Sequence, residues 1–147
     1  MLKAIPAVLS PDLLAVLMAM GHGDEILLAD GNFPASSRGP RVIRADGHGV
    51  ATMLEAILSL LPLDSSVESP VVLMEVPEGE RKRALGSLTE PPIWARYREI
   101  LDASGEPGAI TREAKAAFLE RASRVFAIVA TGEASLYANI ILRKGVL

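Results

Sequence analysis

Cysteine is absent from this chain of 147 residues. Disulfide bonds, a thiol nucleophile and thiolate metal ligands are therefore excluded, and the absence agrees with a reducing compartment, so we expect a cytoplasmic protein. The N-terminal segment also lacks the continuous apolar run of a secretory signal peptide, because Pro6 interrupts it soon after a single lysine.

Long hydrophobic runs and an excess of positive charge are missing as well. No apolar stretch approaches the roughly 20 residues that a membrane-spanning helix needs, and Asp64, Glu75 and Pro77 interrupt the middle of the chain. The 15 Lys and Arg residues are outnumbered by 18 Asp and Glu residues, which gives a net charge of -3. We therefore expect neither a membrane nor a nucleic acid as a partner.

The familiar cofactor loops are also missing. No G-x-x-x-x-G-K-[ST] sequence occurs, and Gly21-His22-Gly23 lacks the third glycine of a dinucleotide-binding loop and precedes a strand rather than a helix. A metal site could be drawn from His22, Asp24 and Asp30, but the two histidines show neither the H-x-x-x-H nor the H-E-x-x-H spacing. The sequence favours no metal and no cofactor.

Apolar residues, in contrast, are abundant. They make up half of the chain, and the mean hydropathy is +0.31. This is high for a small monomer that must cover its own surface with polar groups, so we expect a homo-oligomer. The length suits one domain over residues 1–147, which would bury roughly two thirds of its unfolded surface.

Capping residues and periodicity predict the first helix. Ser10 can accept a hydrogen bond from a free amide as N-cap, and Pro11 suits the first helical position. Apolar residues then recur at three- and four-residue spacing until Gly21, which we expect to end the helix in the left-handed conformation. The apolar run 26–29 predicts a strand buried on both faces.

Further strands and helices alternate along the rest of the chain. Strands are predicted at 42–45, 70–76, 126–130 and 137–142, and helices at 50–61, 93–101 and 111–124, the last with Thr111 as its cap. The charged segment from Pro77 to Pro92 is typical of a solvated face, and we assign it no function. Because parallel strands need crossover connections that helices provide, the alternation predicts a three-layer α/β/α fold with a mostly parallel central sheet.

The loop around His22 is the first candidate for catalysis. An imidazole can give or take a proton near neutral pH, and Asp24 or Asp30 could fix its tautomer or act as the second transfer group. The alternative is that His22 is a polar cap beside Gly21 and that Asp30 is an ordinary Asp-Gly turn residue. His48, which lies between two glycines, is more typical of a loop or capping residue.

Two polar residues near the C-terminus could bind a polyol. Tyr137 and Asn139 are two apart at the start of a predicted strand, so their side chains should point to the same face. The alternative interpretation is that they are polar side chains on an edge strand and bind nothing.

Several separated blocks occur in the order and spacing of a known family. The blocks are Ser10-Pro11-Asp12-Leu13-Leu14, Met20-Gly21-His22-Gly23-Asp24-Glu25-Ile26, Asp30 through Phe33-Pro34, Val42-Ile43-Arg44-Ala45-Asp46-Gly47, Thr131-Gly132-Glu133, Tyr137-Ala138-Asn139-Ile140-Ile141-Leu142 and Lys144-Gly145-Val146. Over about residues 1–61 and 118–147 the chain therefore resembles the L-fucose mutarotase and D-ribose pyranase family.

The resemblance implies cofactor-independent interconversion of the cyclic forms of a free monosaccharide. His22 matches the family's proton-donor histidine, Asp30 a sugar-binding aspartate, and the segment Tyr137, Ala138 and Asn139 a sugar-binding strand segment. The family also builds ring-shaped homo-oligomers, in which pentamers pair into decamers and the sites lie near subunit contacts.

Two positions bear on the choice of sugar. Lys115 stands where the fucose branch has an arginine and the ribose branch a histidine facing the sugar, and Leu119 stands where the fucose branch has a tyrosine. The blocks around His22 and Arg44 favour the fucose branch, whereas the 137–142 block resembles the ribose branch. A ribose pyranase and a non-catalytic sugar-binding transport-accessory protein therefore remain as alternatives.

Overall fold

The computed structural model of the protein describes residues 2–106 and 109–147. Its strands are β1 (Glu25–Ala29), β2 (Val42–Ala45), β3 (Val71–Met74), β4 (Ile110–Glu113), β5 (Ala127–Thr131) and β6 (Ile140–Arg143). Its α-helices are α1 (Pro11–Ala19), α2 (Ala35–Arg38), α3 (Val50–Leu58), α4 (Arg81–Leu85), α5 (Pro92–Ser104) and α6 (Lys115–Ala122), and a 3₁₀ helix covers Glu78–Glu80.

The six strands form one mostly parallel sheet in the order β2-β5-β1-β6-β3-β4. Strand β1 pairs in parallel with β5 and antiparallel with β6, and β6 also pairs antiparallel with β3. The register places Leu27 between Ile128 and Ile141. Strand β6 therefore runs against all its neighbours from a central position in the sheet.

Burial along the central strands shows that both faces of the sheet are covered. The successive residues Ile26, Leu27, Leu28 and Ala29 are all fully buried, although neighbours on a strand point to opposite faces. A parallel strand buried on both faces needs a helical layer on each side. The expected three-layer α/β fold is thus confirmed. No helix in the described part of the chain has the length and apolar character needed to cross a membrane.

Helix α1 begins as the sequence predicts but ends differently. The Ser10 side chain accepts a hydrogen bond from the Leu13 amide at 3.2 Å. At the other end Met20 leaves the helix in an extended conformation, and Gly21 does not adopt a positive φ, so the expected left-handed ending is wrong. The positive φ falls instead on Gly23, at +86°, because the chain turns there to enter β1.

The region before α6 contains a strand that local pattern did not predict. Thr111 lies inside β4 and not at a helix cap, and α6 begins only at Lys115, after Ala114. Strand β4 forms because it pairs in parallel with β3, and this tertiary contact outweighs the local capping signal. Helix α3 likewise ends at Leu58, earlier than expected.

The topology defines two opposite edges of the sheet. The carboxyl edge is where β1, β3 and β4 end and where β6 begins, and the amino edge is where β1 begins and β6 ends. Ligands of open α/β sheets bind outside the carboxyl ends of the strands. A ligand site is accordingly expected at the carboxyl edge.

Candidate functional site

A pocket of about 310 Å³ opens at the carboxyl edge. It is lined by four of the residues that the sequence analysis selected: Asp30, Lys115, Tyr137 and Asn139. Leu119 lines the same pocket. Ala138, the fifth residue of the predicted sugar site, is fully buried and does not line this pocket.

Asp30 and Asn139 form a reciprocal pair at the base of the pocket. The Asp30 amide donates to the Asn139 Oδ1 atom at 2.9 Å, and the Asn139 Nδ2 atom donates to the Asp30 Oδ2 atom at 2.9 Å. The Asn32 amide donates to the other carboxylate oxygen of Asp30 at 3.0 Å. Burial raises the pKa of Asp30 even though these hydrogen bonds oppose the rise. The carboxylate is therefore held in place and is more basic than an exposed aspartate.

Two aromatic residues of α5 donate hydrogen bonds to the backbone of the segment 137–139. The Trp94 indole donates to the Tyr137 carbonyl at 2.9 Å, and the Tyr97 hydroxyl donates to the Ala138 carbonyl at 2.6 Å. Both aromatic side chains are fully buried. Tyr137 has a φ of +57°, which is unusual for a residue with a side chain. The aromatic donors thus stabilise a bent approach to β6.

The position of this segment corrects two expectations. Tyr137 and Asn139 precede β6 and do not alternate along a strand, and β6 is central in the sheet, so the edge-strand interpretation is wrong. Their side chains nevertheless reach the same pocket, because the bend at Tyr137 turns the chain toward it.

Glu80 joins two of the pocket residues. Its carboxylate accepts hydrogen bonds from the Lys115 Nζ atom at 2.9 Å, from the Tyr137 hydroxyl and from the Arg83 guanidinium at 3.0 Å. The Tyr137 hydrogen bond, followed by the one from Lys115, lowers the pKa of Glu80 to about 2. This residue lies in the segment to which the sequence analysis assigned no function, so the interpretation of that segment as a purely solvated face is wrong at Glu80.

His22 lies at the amino edge, away from the pocket. Its side chain is 50% exposed, and the Nε2 atom lies 3.2 Å from the Oδ1 atom of Asp64. The expectation that Asp24 or Asp30 fixes the tautomer of His22 was wrong: Asp30 pairs with Asn139, and Asp24 accepts a hydrogen bond from the Gly21 amide at 2.7 Å.

Asp64 is buried and strongly hydrogen-bonded. It accepts a hydrogen bond from the Ser66 hydroxyl at 2.6 Å and from the Arg143 Nε atom at 2.9 Å. The bonds from Ser66, together with those from Arg143 and His22, hold the pKa of the Asp64 carboxyl well below its usual range. The imidazole of His22 therefore faces a carboxylate that stays ionised, and its Nδ1 atom is the ring nitrogen left for other partners.

The two groups of predicted site residues do not meet within one chain. His22 precedes β1 and Asp30 follows it, and the five residues of β1 span roughly 16 Å at about 3.3 Å per residue. One sugar cannot contact both within a single copy of the chain.

Sequence reasoning missed three residues of these clusters: Asp64, Glu80 and Arg143. Asp64 was treated only as a break in an apolar stretch, and Glu80 was one acidic residue within a charged run. No local signal distinguishes either of them. His48 fits its structural alternative, since its amide donates to the Ala45 carbonyl at 3.0 Å. Within residues 2–106 and 109–147 no group of three His, Cys, Asp or Glu residues could hold a metal ion.

Comparison with known proteins adds independent information. The model of the RbsD / FucU transport protein family matches residues 3–147. The fucose mutarotase of Homo sapiens is 53% identical, over 99% of this chain and 94% of that protein. The crystal structure of the fucose mutarotase from Streptococcus pneumoniae in complex with L-fucose gives a TM-score of 0.89 at 47% identity over 99% of both chains. FucU from Bifidobacterium longum gives a TM-score of 0.88 at 42% identity, again over 99% of both chains.

Proposed function

Since this chain belongs to the RbsD / FucU transport protein family, we infer that it is a sugar mutarotase, an isomerase that interconverts the anomers of a free monosaccharide. The names of its human and S. pneumoniae relatives favour L-fucose or a close analogue as the substrate. In this proposal His22 and Asp30 are the catalytic residues. The sugar site comprises Asp30, Lys115, Tyr137 and Asn139, and the buried Ala138 connects the last two.

The observation that carries the proposal is the contact between His22 and Asp64. A half-exposed imidazole beside a buried, ionised carboxylate has a fixed orientation and a free nitrogen, which is the arrangement that proton transfer requires. A protein that only bound sugars would need the polar pocket but no such pair.

Mutarotation consists of two proton transfers at the sugar. As the bond between the anomeric carbon and the ring oxygen breaks, the ring oxygen gains a proton and the anomeric hydroxyl loses one, which gives the open-chain aldehyde. Closure on the other carbonyl face reverses both transfers. We assign the ring-oxygen proton to His22 and the anomeric proton to Asp30, whose pKa is raised by burial. Such general acid-base catalysis contributes about 10² to 10⁴ in rate.

The assignment of His22 and Asp30 to one site requires two copies of the chain. Because His22 and the pocket lie at opposite edges of the sheet, the pocket of one copy would have to be completed by the His22 loop of the next. Apolar side chains are exposed near both edges: Met18 is 85% and Val146 68% exposed near the amino edge, and Leu136 is 40% exposed at the pocket. A head-to-tail contact between unlike surfaces forms a ring when the rotation from one copy to the next closes.

This arrangement supports a ring of copies, and the size of the ring, a pentamer that pairs into a decamer, rests on the sequence resemblance. The high apolar content of the chain agrees with it. The absence of cysteine supports the cytoplasm as the compartment in which the protein works.

Saturation-transfer NMR on equilibrated L-fucose tests the proposal directly. The wild-type protein should accelerate exchange between the anomers, and His22→Ala should return the rate to that of the buffer while the oligomer stays intact in gel filtration. His48→Ala is the matched control, because it removes the other histidine from a loop outside the pocket, and it should leave the acceleration unchanged.

The same measurement distinguishes the alternatives. Faster exchange between pyranose and furanose forms of D-ribose than between the anomers of L-fucose would favour the pyranase. Binding of L-fucose by calorimetry without any acceleration would favour the transport-accessory protein and would contradict the catalytic assignment.

A further inference from the structure

We propose that Glu80 is a positioning residue of the sugar pocket, which sets the direction of the hydrogen bonds that Tyr137 and Lys115 make to the substrate. This inference rests on the proposed function of the same pocket and adds a residue that the sequence motifs do not include. Of the 3₁₀ helix Glu78–Glu80, only its last residue, Glu80, would accordingly belong to the site.

The geometry around Glu80 gives each of its carboxylate oxygens a defined partner. The Oε1 atom accepts from the Lys115 Nζ atom at 2.9 Å, and the Oε2 atom accepts from the Tyr137 hydroxyl. Lys115 also lies over the Tyr137 ring, with its Nζ atom 5.8 Å from the ring centre. The side chain of Glu80 is only 29% exposed. The three side chains therefore form one connected cluster on the pocket wall.

This cluster restricts the hydrogen bonds that a bound sugar can make. A phenol has one proton to donate, so a Tyr137 hydroxyl that donates to Glu80 presents only lone pairs to the pocket. Lys115 carries three N–H groups and no acceptor, and one of these N–H groups is bound to Glu80. A sugar hydroxyl would therefore donate a hydrogen bond to the Tyr137 oxygen, and a sugar oxygen would accept a hydrogen bond from Lys115.

Without the carboxylate, both constraints disappear. The Tyr137 hydroxyl could rotate toward the pocket or toward solvent, and Lys115 would lose the anion that holds its flexible stem. Sugar binding would then have to order both groups, which weakens affinity. The proton transfers at the anomeric centre would be unaffected, because neither His22 nor Asp30 contacts Glu80 by a hydrogen bond.

Glu80→Gln tests this inference, with Glu78→Gln as its matched control. Both changes replace a carboxylate by an amide on the same 3₁₀ helix, but the Glu78 side chain is 96% exposed and does not line the pocket. We expect Glu80→Gln to raise the KM for L-fucose about two- to tenfold, the range that corresponds to one net hydrogen bond, with kcat changed less than twofold. Glu78→Gln should change neither constant.

A second measurement needs no sugar. The protein has two tyrosines, and burial raises the pKa of Tyr97 so strongly that Tyr137 is the first to ionise as the pH rises. The charged groups that face this phenol and its carboxylate are Glu80, Lys115 and Arg83. Burial and, after it, the hydrogen bond to Glu80 raise the pKa of Tyr137. Glu80→Gln removes the second cause and should therefore lower this pKa in an ultraviolet titration, whereas Glu78→Gln should not.

The L-fucose kinetics and the phenol titration test the proposed function and the role of Glu80 separately. Wild-type protein that leaves L-fucose exchange unaccelerated would overturn the proposed function, and the phenol titration would still decide whether Glu80 holds Tyr137. An unchanged titration in Glu80→Gln overturns the inference whatever the kinetics. An altered titration with an unchanged KM overturns the part that concerns the sugar, and a loss confined to kcat would do the same. Circular-dichroism melting of both variants ensures that the folded proteins are compared.

Discussion

The backbone amide and the side-chain carboxylate of Asp30 bind opposite ends of the same amide group, that of Asn139. The Asn139 Oδ1 atom accepts a hydrogen bond from the Asp30 amide at 2.9 Å, and the Asn139 Nδ2 atom donates one to the Asp30 carboxylate at 2.9 Å. The two residues are 109 positions apart. Asp30 directly follows β1 and Asn139 directly precedes β6, so the pair ties the two central strands together at the pocket. A residue that sequence resemblance assigns to sugar binding thus also orients the carboxylate beside it.

Asn139→Ala should therefore reduce both stability and binding. The change leaves a buried amide and a buried carboxylate oxygen without a partner, which should lower the free energy of unfolding by about 1–3 kcal/mol. Urea denaturation measures the first effect, and calorimetric titration with L-fucose measures the second. Stability equal to that of the wild type would show that water replaces the side chain without cost.

Asp64→Asn should slow anomer exchange while sugar affinity stays close to the wild-type value. The amide still fills the site but carries no charge to fix the tautomer of His22, so we expect kcat to fall about tenfold or more, within the range of general acid-base effects. Saturation-transfer NMR at several L-fucose concentrations separates kcat from KM. A change confined to KM would assign Asp64 to sugar binding instead.

Mixed oligomers should recover activity from two inactive proteins. If His22 of one copy completes the Asp30 pocket of the next, refolding a one-to-one mixture of His22→Ala and Asp30→Asn should restore about a quarter of the sites, since each contact joins unlike surfaces of two copies. Exchange of L-fucose is compared with that of each variant refolded alone. Activity no higher than the sum of the two would place both residues in one copy's site.

Tyr97→Phe should destabilise the protein because it removes one buried hydroxyl group. The ring keeps its packing, but the fully buried Ala138 carbonyl loses its 2.6 Å hydrogen bond, which should cost about 1–3 kcal/mol. Urea denaturation measures this cost. We also expect a weaker affinity for L-fucose, because the 137–139 segment loses one of its two aromatic supports. Unchanged stability would contradict the supporting role.

Acid should remove part of the stability that Glu80 contributes. The pKa of Glu80 is lowered to about 2 in the folded protein, whereas a glutamate in an unfolded chain titrates near about 4.3. A lowered folded pKa means that the contribution is complete above about pH 4.3 and is lost as the pH falls toward about 2. The difference in unfolding free energy between wild type and Glu80→Gln should shrink over this window. A constant difference down to about pH 2.5 would contradict the assignment.

Much of the fold follows from local pattern, and the exceptions have identifiable causes. The apolar run 26–29 and the cap at Ser10 both predicted their elements correctly. Strand β4 was missed because its four residues become a strand only through pairing with β3. The predicted left-handed ending of α1 at Gly21 was wrong, because the chain leaves the helix at Met20 and makes its positive-φ turn only at Gly23.

The sequence by itself determined the fold class and the family. The spacing of apolar residues, helix capping and the motif blocks are local properties that each segment carries alone. Only the tertiary structure decided that His22 faces Asp64, that Tyr137 donates to Glu80 and that Asp30 pairs with Asn139. These partners are 42, 57 and 109 positions apart. Contacts at such separations depend on strand order and on the bends between strands, which no short stretch of sequence specifies.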